Sequence, residues 1–187
     1  MRDPHETMTS GRLMVRRFTL DDLDALARMQ DDPEVMRHVG GVKDRATTEA
    51  MLRERILAYY DEHPGLGIWA THERSSGEFV GMHLLNHIRG EAHVQVGYVL
   101  RSEFWGRGYA TEMCARVLRY GFGELGLPRI AAITDLPNVA SQRVLLKAGL
   151  RRDGERSFAA YANGEPLAWF ERSAGEWLDE HGGATVK

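Results

Sequence analysis

The stretch "FWGRGYATEMCARVL" (Phe104 to Leu118) places glycines on both sides of an arginine and then continues with the apolar period of a helix. A strand-like run ends just before it at Leu100, and the helix is predicted to run from Ala110 to Leu125. Glycines let the backbone approach a ligand closely, and the free N–H groups of a helix's first turn lie at the positive end of its dipole. The segment therefore predicts a site for an anion such as a phosphate, with Arg107 as an additional cation.

The spacing of the glycines argues against the two common nucleotide-binding motifs. "GRGYAT" lacks the lysine of a Walker loop and has threonine where the Rossmann fingerprint needs glycine or alanine. The runs "GIWATHE", "FVGMHLLNHI" and "AHVQVGYVL" before it are joined by short turns with glycine and predict an antiparallel meander. A tight turn without any ligand remains the alternative at this point.

Composition and charge predict one α/β domain and exclude several kinds of partner. The chain has 187 residues, 43 % of them apolar, and we expect a single domain over residues 1–187 with flexible tails at 1–10 and 182–187. The net charge of -3 gives no electrostatic basis for binding nucleic acid or an anionic membrane. No signal peptide or apolar run of about 18 residues is present, so we expect a cytoplasmic protein.

The single cysteine, Cys114, excludes an intrachain disulfide and a cysteine-based metal cluster. It falls on the apolar stripe of the predicted helix, which favours a buried packing thiol over a nucleophile. No metal site is predicted.

Two segments together, "GYVLRSEFWGRGYATEM" and "NVASQRVLLKAGL", resemble the GCN5-related N-acetyltransferase (GNAT) family. Within that family these segments are most similar to the branch of ribosomal-protein N-terminal acetyltransferases, the RimJ/RimL type. The resemblance implies the GNAT fold, an α/β (α+β) architecture with a mixed, mostly antiparallel sheet of six to seven strands and about four helices. It also implies acetyl-CoA as the acyl donor and a primary amine as the acceptor.

By this resemblance the glycine turn would hold the pyrophosphate of acetyl-CoA. The family pattern R/Q-x-x-G-x-G/A falls on consecutive positions, and the first helical turn adds one more: Trp105, Gly106, Arg107, Gly108, Tyr109, Ala110 and Thr111. Trp105 departs from the arginine or glutamine of the pattern, but the loop works mainly through backbone N–H groups, so we expect little loss of binding. Val99 and Leu100 would pair with the pantetheine arm where two strands splay apart.

The second motif, N-x-x-S, falls on Asn138 and Ser141 at the start of the next predicted helix. Asparagine is also a good helix cap, so capping and cofactor contact are both open for Asn138. The resemblance places Ser141 near the sulfur of coenzyme A as a hydrogen-bond donor. Many relatives use a tyrosine four residues later, where this chain has Leu145. A general-acid role therefore shifts to Ser141 or to a water.

The general base is the least defined part of the predicted site. Many relatives have a glutamate where this chain has Gln95, and an amide cannot take a proton. His93 is predicted on the same strand face, and His83 lies on the neighbouring strand; either could relay a proton, or both could be ordinary strand histidines. Glu103 precedes the glycine turn and is expected to be solvated.

With Gln95 in place of a glutamate, the predicted acceptor is the α-amine of a protein or peptide. At pH 7 the deprotonation of an α-ammonium group costs about 1 kcal/mol, whereas that of a lysine ammonium costs about 5 kcal/mol. An α-amine therefore depends less on a catalytic base. The alternatives are a small amine (a polyamine, an amino acid or an antibiotic) and an acyl-CoA-binding module without turnover. Residues available near the acceptor are Arg37, His38, Tyr161 and Trp169. A homodimer is one arrangement that the sequence leaves open.

Overall fold

Eight strands form one sheet in the computed structural model, which describes residues 6–181. Their bounds are β1 Glu6–Thr9, β2 Leu13–Arg17, β3 Gly67–Glu73, β4 Phe79–His87, β5 Val94–Leu100, β6 Arg129–Asp135, β7 Arg151–Arg156 and β8 Leu167–Ser173. The order across the sheet is β1-β2-β3-β4-β5-β6-β8-β7. All neighbouring strands are antiparallel except β5 and β6, which are parallel.

Helices cover the sheet and connect its two halves. Their bounds are α1 Leu23–Gln30, α2 Pro33–Met36, α3 Arg45–Met51, α4 Ala58–Glu62, α5 Tyr109–Gly123, α6 Val139–Ala148 and α7 Ala174–His181. A π-helical stretch, Leu52–Leu57, joins α3 to α4 as one continuous helix. This helix buries Leu52, Ile56 and Tyr60, which recur every four residues.

The predicted fold class is confirmed, but the protein has more elements than its sequence pattern indicates. The sequence predicts six to seven strands and about four helices. The additional strand β1 lies within residues 1–10, so the prediction of a flexible tail over all of these residues is wrong. The short helix α2 and the closing helix α7 were also not predicted. Residues 1–5 and 182–187, the rest of the expected tails, lie outside the described residues.

Helix α5 is held by the apolar stripe that the sequence predicts. Met113, Cys114, Val117 and Leu118 are all fully or almost fully buried in the main core. Burial raises the pKa of the Cys114 thiol, so this cysteine is an inert packing group, as predicted. Because this face is buried, the N-terminus of α5 has a fixed position beside the sheet.

Strands β5 and β6 separate after a single point of pairing. Within residues 6–181, the only residues that pair β5 directly with β6 are Gln95 and Ala131. On its other side β5 pairs with β4 along its full length, up to Gly81 opposite Leu100. One edge of β5 is therefore free between Val96 and Leu100, at the predicted pantetheine position.

Candidate active site

A cleft with a volume of about 1100 Å³ opens where β5 and β6 separate. Its walls come from β5 and β6, the glycine turn, the first turns of α5 and α6, the segment between α2 and α3, the π-helical stretch, the β4–β5 hairpin and the loop before β8. The cleft is lined by Gln95 and by every residue predicted to hold acetyl-CoA except Arg107: Val99, Leu100, Trp105, Gly106, Gly108, Tyr109, Ala110, Thr111, Asn138 and Ser141.

The glycine turn has the backbone geometry that an anion site requires. Gly106 and Gly108 have positive φ angles of +74° and +78°, which residues with a Cβ rarely adopt. A Cβ at Gly106 would meet no heavy atom within 4 Å, so the turn leaves open space there. The first helical bond of α5 runs from the Glu112 N–H to the Gly108 carbonyl, so the three N–H groups before Glu112 have no acceptor inside the helix.

The Tyr109 side chain fixes this turn to the rest of the protein. Its hydroxyl donates a hydrogen bond to Glu73, and the Arg12 guanidinium lies 4.5 Å from its ring centroid. One turn along α5, the Glu112 carboxylate accepts hydrogen bonds from the Arg12 backbone N–H (2.8 Å) and from Arg12 Nε (2.7 Å). Tyr109 is 5 % exposed, so it contributes to the cleft mainly through its backbone.

Arg107, the cation of the turn, does not line the cleft. Its guanidinium lies 5.1 Å from the centroid of the Phe104 ring, and its side chain is exposed. Glu103 is exposed as well, and it pairs with Arg101. A phosphate contact by Arg107 stays a prediction.

Trp105, which departs from the arginine or glutamine of the family pattern, has a structural role. Its indole Nε1–H donates a 2.9 Å hydrogen bond to the carbonyl oxygen of Leu100, the last residue of β5. This bond joins the glycine turn to the free strand end. Trp105 is nevertheless 45 % exposed and therefore also offers its ring to the cleft.

Asn138 caps α6, and Ser141 faces a tyrosine that the sequence analysis did not select. The Asn138 Oδ1 accepts a 3.1 Å hydrogen bond from the Ser141 backbone N–H, so the capping alternative is present. The Ser141 side chain is left to interact with the phenol of Tyr98 in β5. Burial raises the pKa of Tyr98 to about 12, so this phenol stays protonated and can donate a hydrogen bond.

Gln95 lies in the cleft, whereas His93 packs outside it. Gln95 is 7 % exposed, and its Nε2 donates to the Oδ1 of Asn86 across the β4–β5 ladder at 3.5 Å. His93 lies in the hairpin before β5, with its ring edge against Trp169 at a centroid distance of 5.4 Å. Trp169 is fully buried in the small core cluster beneath β8 and does not line the cleft.

His83, the other histidine considered as a relay, is fully buried. Its Nδ1 lies 2.8 Å from the hydroxyl of Thr71, its ring stacks on Tyr98, and its Nε2 has no hydrogen-bond partner. Burial lowers the pKa of His83 to about 3, so the imidazole is neutral at physiological pH. It does not line the cleft.

This buried imidazole should make folding pH-dependent. Below pH 6.5 the unfolded chain protonates His83 and the folded chain does not, so the free energy of unfolding falls by about 1.4 kcal/mol per pH unit until about pH 3. Between pH 7 and pH 5 the loss from this group is about 2 kcal/mol. In His83→Gln, the decrease in unfolding free energy over that interval should be smaller by this amount, measured by urea titration. Equal decreases in both proteins would contradict the neutral buried histidine.

The cleft contains a histidine–aspartate pair that the sequence does not predict. His38 Nδ1 lies 3.1 Å from Asp135 Oδ2, and both residues line the cleft. His38 belongs to the segment after α2, and Asp135 ends β6, 97 positions away along the chain. Tyr161, predicted near the acceptor, also lines the cleft and hydrogen-bonds through its hydroxyl to the Arg89 backbone N–H.

Two further features bear on the kind of site. Within residues 6–181, no three histidine, cysteine, aspartate or glutamate side chains converge in a way that could hold a metal ion. No helix in this part of the chain is long and apolar enough to cross a membrane.

Comparison with known proteins agrees with the geometry of the cleft. Residues 12–151 match the family model described as an acetyltransferase (GNAT) domain. The chain is 32 % identical over 162 residues to the uncharacterized N-acetyltransferase YoaA of Bacillus subtilis, covering 85 % of this chain and 90 % of that protein.

Solved structures give the same assignment. A GNAT-family acetyltransferase from Bacillus anthracis superposes with a TM-score of 0.75 at 25 % identity, covering 90 % of this chain and 99 % of the other. RimL, an L7/L12 α-N-protein acetyltransferase solved with coenzyme A, has the same fold with a TM-score of 0.74 at 17 % identity, covering 90 % of this chain and 97 % of RimL. With the splayed strands and the glycine turn, these matches show that the chain belongs to the GNAT family and is an acetyl-CoA-dependent N-acetyltransferase.

Proposed function

We propose that the protein transfers the acetyl group of acetyl-CoA directly to the α-amine of a peptide or protein, as in the RimJ/RimL branch. The observation that carries this proposal is the buried Gln95 in the cleft, at the position where many relatives have a glutamate. An amide cannot deprotonate an ammonium group. A lysine amine would need a strong base there, whereas an α-amine is neutral in an appreciable fraction of molecules at pH 7.

The residues fit acetyl-CoA at two places. The N–H groups of the turn from Gly106 to Ala110 suit a pyrophosphate, since they are unpaired inside the helix and lie at the positive end of the α5 dipole. The free edge of β5 at Val99 and Leu100 suits the amide groups of pantetheine. When bound, acetyl-CoA supplies a thioester carbonyl for attack by the amine. The chain itself positions the two reactants and provides hydrogen-bond donors.

Ser141 and Tyr98 are the proposed donors toward the leaving sulfur. Their side chains meet in the cleft between β5 and α6, and Tyr98 stays protonated because its pKa is raised to about 12. Asn138 positions Ser141 by capping the helix through the Ser141 backbone N–H. The hydroxyl of Ser141 is not needed for that cap.

Ser141→Ala should therefore lower kcat by about tenfold while leaving the KM for acetyl-CoA nearly unchanged. The helix cap survives because it uses the backbone of residue 141, so the melting temperature should stay close to that of the wild type. Asn138→Ala is the matched comparison, since it removes the cap and should cost about 1 kcal/mol of stability. An unchanged kcat in Ser141→Ala would leave this serine as part of the helix start only.

An α-amine that arrives protonated needs only a weak base, and the group that the geometry favours for this role is His38 rather than His93. Asp135 can accept a hydrogen bond from Nδ1–H of His38, which leaves the lone pair on Nε2. His93 is held against Trp169 outside the cleft lining. Gln95 would act by orienting the amine or a water through its amide.

The experiment that tests the proposed function is release of free thiol from acetyl-CoA with a panel of acceptors. The panel contains peptides with free N-termini, the same peptides with blocked N-termini and one lysine, polyamines, and free amino acids. Release that requires a free peptide N-terminus supports the proposal. Release with polyamines or amino acids alone would replace it with a small-molecule acceptor.

A further inference from the structure

Three cationic side chains from three different elements meet at one end of the cleft. Lys43 lies in the segment between α2 and α3, Arg55 in the π-helical stretch, and Arg89 in the β4–β5 hairpin. All three line the cleft, and Arg37 lines it as well. We call Lys43, Arg55 and Arg89 the cationic cluster.

The members of the cluster lie close enough to affect one another. Burial lowers the pKa of Lys43, and the charges of Arg55 and Arg89 lower it further. The Lys43 ammonium donates to the carbonyl oxygens of Gly41 (3.2 Å) and Val39 (3.4 Å), which fix its position without neutralising it. The Arg89 guanidinium lies 5.4 Å from the Tyr161 ring centroid, on a neutral partner.

No described carboxylate lies within 4.0 Å of the charged nitrogens of the cationic cluster. Ion pairs between arginine and a carboxylate are common elsewhere on this protein. Arg53, two positions before Arg55, pairs with Glu49 at 2.8 Å. The acidic residues that line the cleft are Glu34 and Asp135, and Asp135 is engaged with His38. In a chain with a net charge of -3, a cationic cluster whose three side chains have no described carboxylate partner leaves room for a negative ligand.

The position of the cluster separates it from the phosphate turn. Arg89 precedes β5, whereas the glycine turn follows the end of β5 at Leu100. A strand rises about 3.3 Å per residue, so the two ends of β5 are about 20 Å apart. An acyl donor whose phosphates occupy the α5 turn therefore leaves the cationic cluster to the acceptor.

We infer that the cationic cluster binds carboxylate groups of the acceptor, so that the preferred substrate is an amine carried by an acidic peptide. This inference rests on the proposed function and narrows its substrate class. Carboxylates would form charge-assisted hydrogen bonds with the guanidinium groups of Arg55 and Arg89. A polyamine would be repelled by the same groups, which argues against that alternative acceptor.

The test compares peptides of equal length that differ only in charge after a common N-terminal serine. One continues with aspartate and glutamate, one with asparagine and glutamine, and one with two lysines; all have amidated C-termini. A free amino acid and an unamidated neutral peptide show whether a C-terminal carboxylate can replace the acidic side chains. Binding is measured by calorimetry with coenzyme A present, and kcat/KM is measured with acetyl-CoA.

The acidic peptide should bind about tenfold or more tightly than its amide counterpart, and its kcat/KM should be higher by a similar factor. The variants Arg55→Glu and Arg89→Glu should abolish or reverse this preference while leaving the KM for acetyl-CoA unchanged. Arg53→Glu is the matched control, because Arg53 lies on the same helix outside the cleft lining, and it should retain the preference.

Equal binding of the acidic and amide peptides would overturn the inference, as would a preference that survives in both charge-reversed variants. These outcomes differ from failure of the proposed function, which would appear as absence of acetyl transfer to every peptide. The calorimetric comparison does not require turnover, so it decides the charge preference in that case as well.

Discussion

Replacing Gly108 with glutamate is expected to raise the Kd for coenzyme A by about 100-fold or more, equivalent to about 3 kcal/mol. Gly108 caps α5 with a φ of +78°, directly before the N–H groups proposed to hold the pyrophosphate. A carboxylate at this position would compete with the phosphates for the same donors and repel them. The measurement is calorimetric titration of coenzyme A into the purified variant.

The control for this variant is Gly126→Glu. Gly126 also has a positive φ, +64°, and a Cβ there would meet no heavy atom within 4 Å, but it lies in the turn between α5 and β6. Both variants should lose about 1 to 2 kcal/mol of stability through the strained backbone. Only Gly108→Glu should lose coenzyme A binding. Equal affinities in the two variants would refute the assignment of the pyrophosphate turn.

The largest loss of stability is expected for Gly81→Ala. Gly81 has a φ of +148°, and a Cβ built there would lie 2.3 Å from the Val99 carbonyl oxygen and 2.8 Å from the Leu100 Cα. These backbone atoms belong to β5 and cannot move without breaking the β4–β5 ladder. We expect the unfolding free energy to fall by about 3 kcal/mol or more. Urea denaturation measures this change.

Gly90→Ala is the matched comparison for Gly81. Gly90 lies in the β4–β5 hairpin with a φ of +83° and open space around it, so alanine there should cost only about 1 to 2 kcal/mol. The remaining folded Gly81→Ala protein should also have a higher KM for acetyl-CoA, because Val99 and Leu100 form the proposed pantetheine edge. A loss no greater than that of Gly90→Ala would show that β5 tolerates displacement at this point.

Much of the fold could be predicted because its signals are local in sequence. The antiparallel meander follows from alternating apolar runs and short turns, and the two helix starts follow from Gly108 and from Asn138. The helix capped by Gly108 begins at Tyr109, one residue before the predicted start at Ala110. Strand β1 was missed because it is short and polar and gains its place by pairing with β2.

The missing parts of the site depend on contacts that sequence spacing does not reveal. The His38–Asp135 pair joins two segments 97 positions apart, and the cationic cluster draws on three elements. Tyr98 was the one omission with a local signal, since it follows Gly97 on the strand that leads to the glycine turn. The alternation of side chains along β5 does not predict where the His93 side chain lies, because His93 comes before Val94, the first residue of that strand.

The most direct test of the proposed reaction is to locate the acetyl group on a product. An acidic peptide with a free N-terminus and one internal lysine is incubated with acetyl-CoA and the enzyme, and tandem mass spectrometry then identifies the modified nitrogen. We expect acetylation of the α-amine with the lysine unmodified, and loss of the product in Gly108→Glu. Acetylation of the lysine, or no peptide product under conditions in which a polyamine is acetylated, would contradict it.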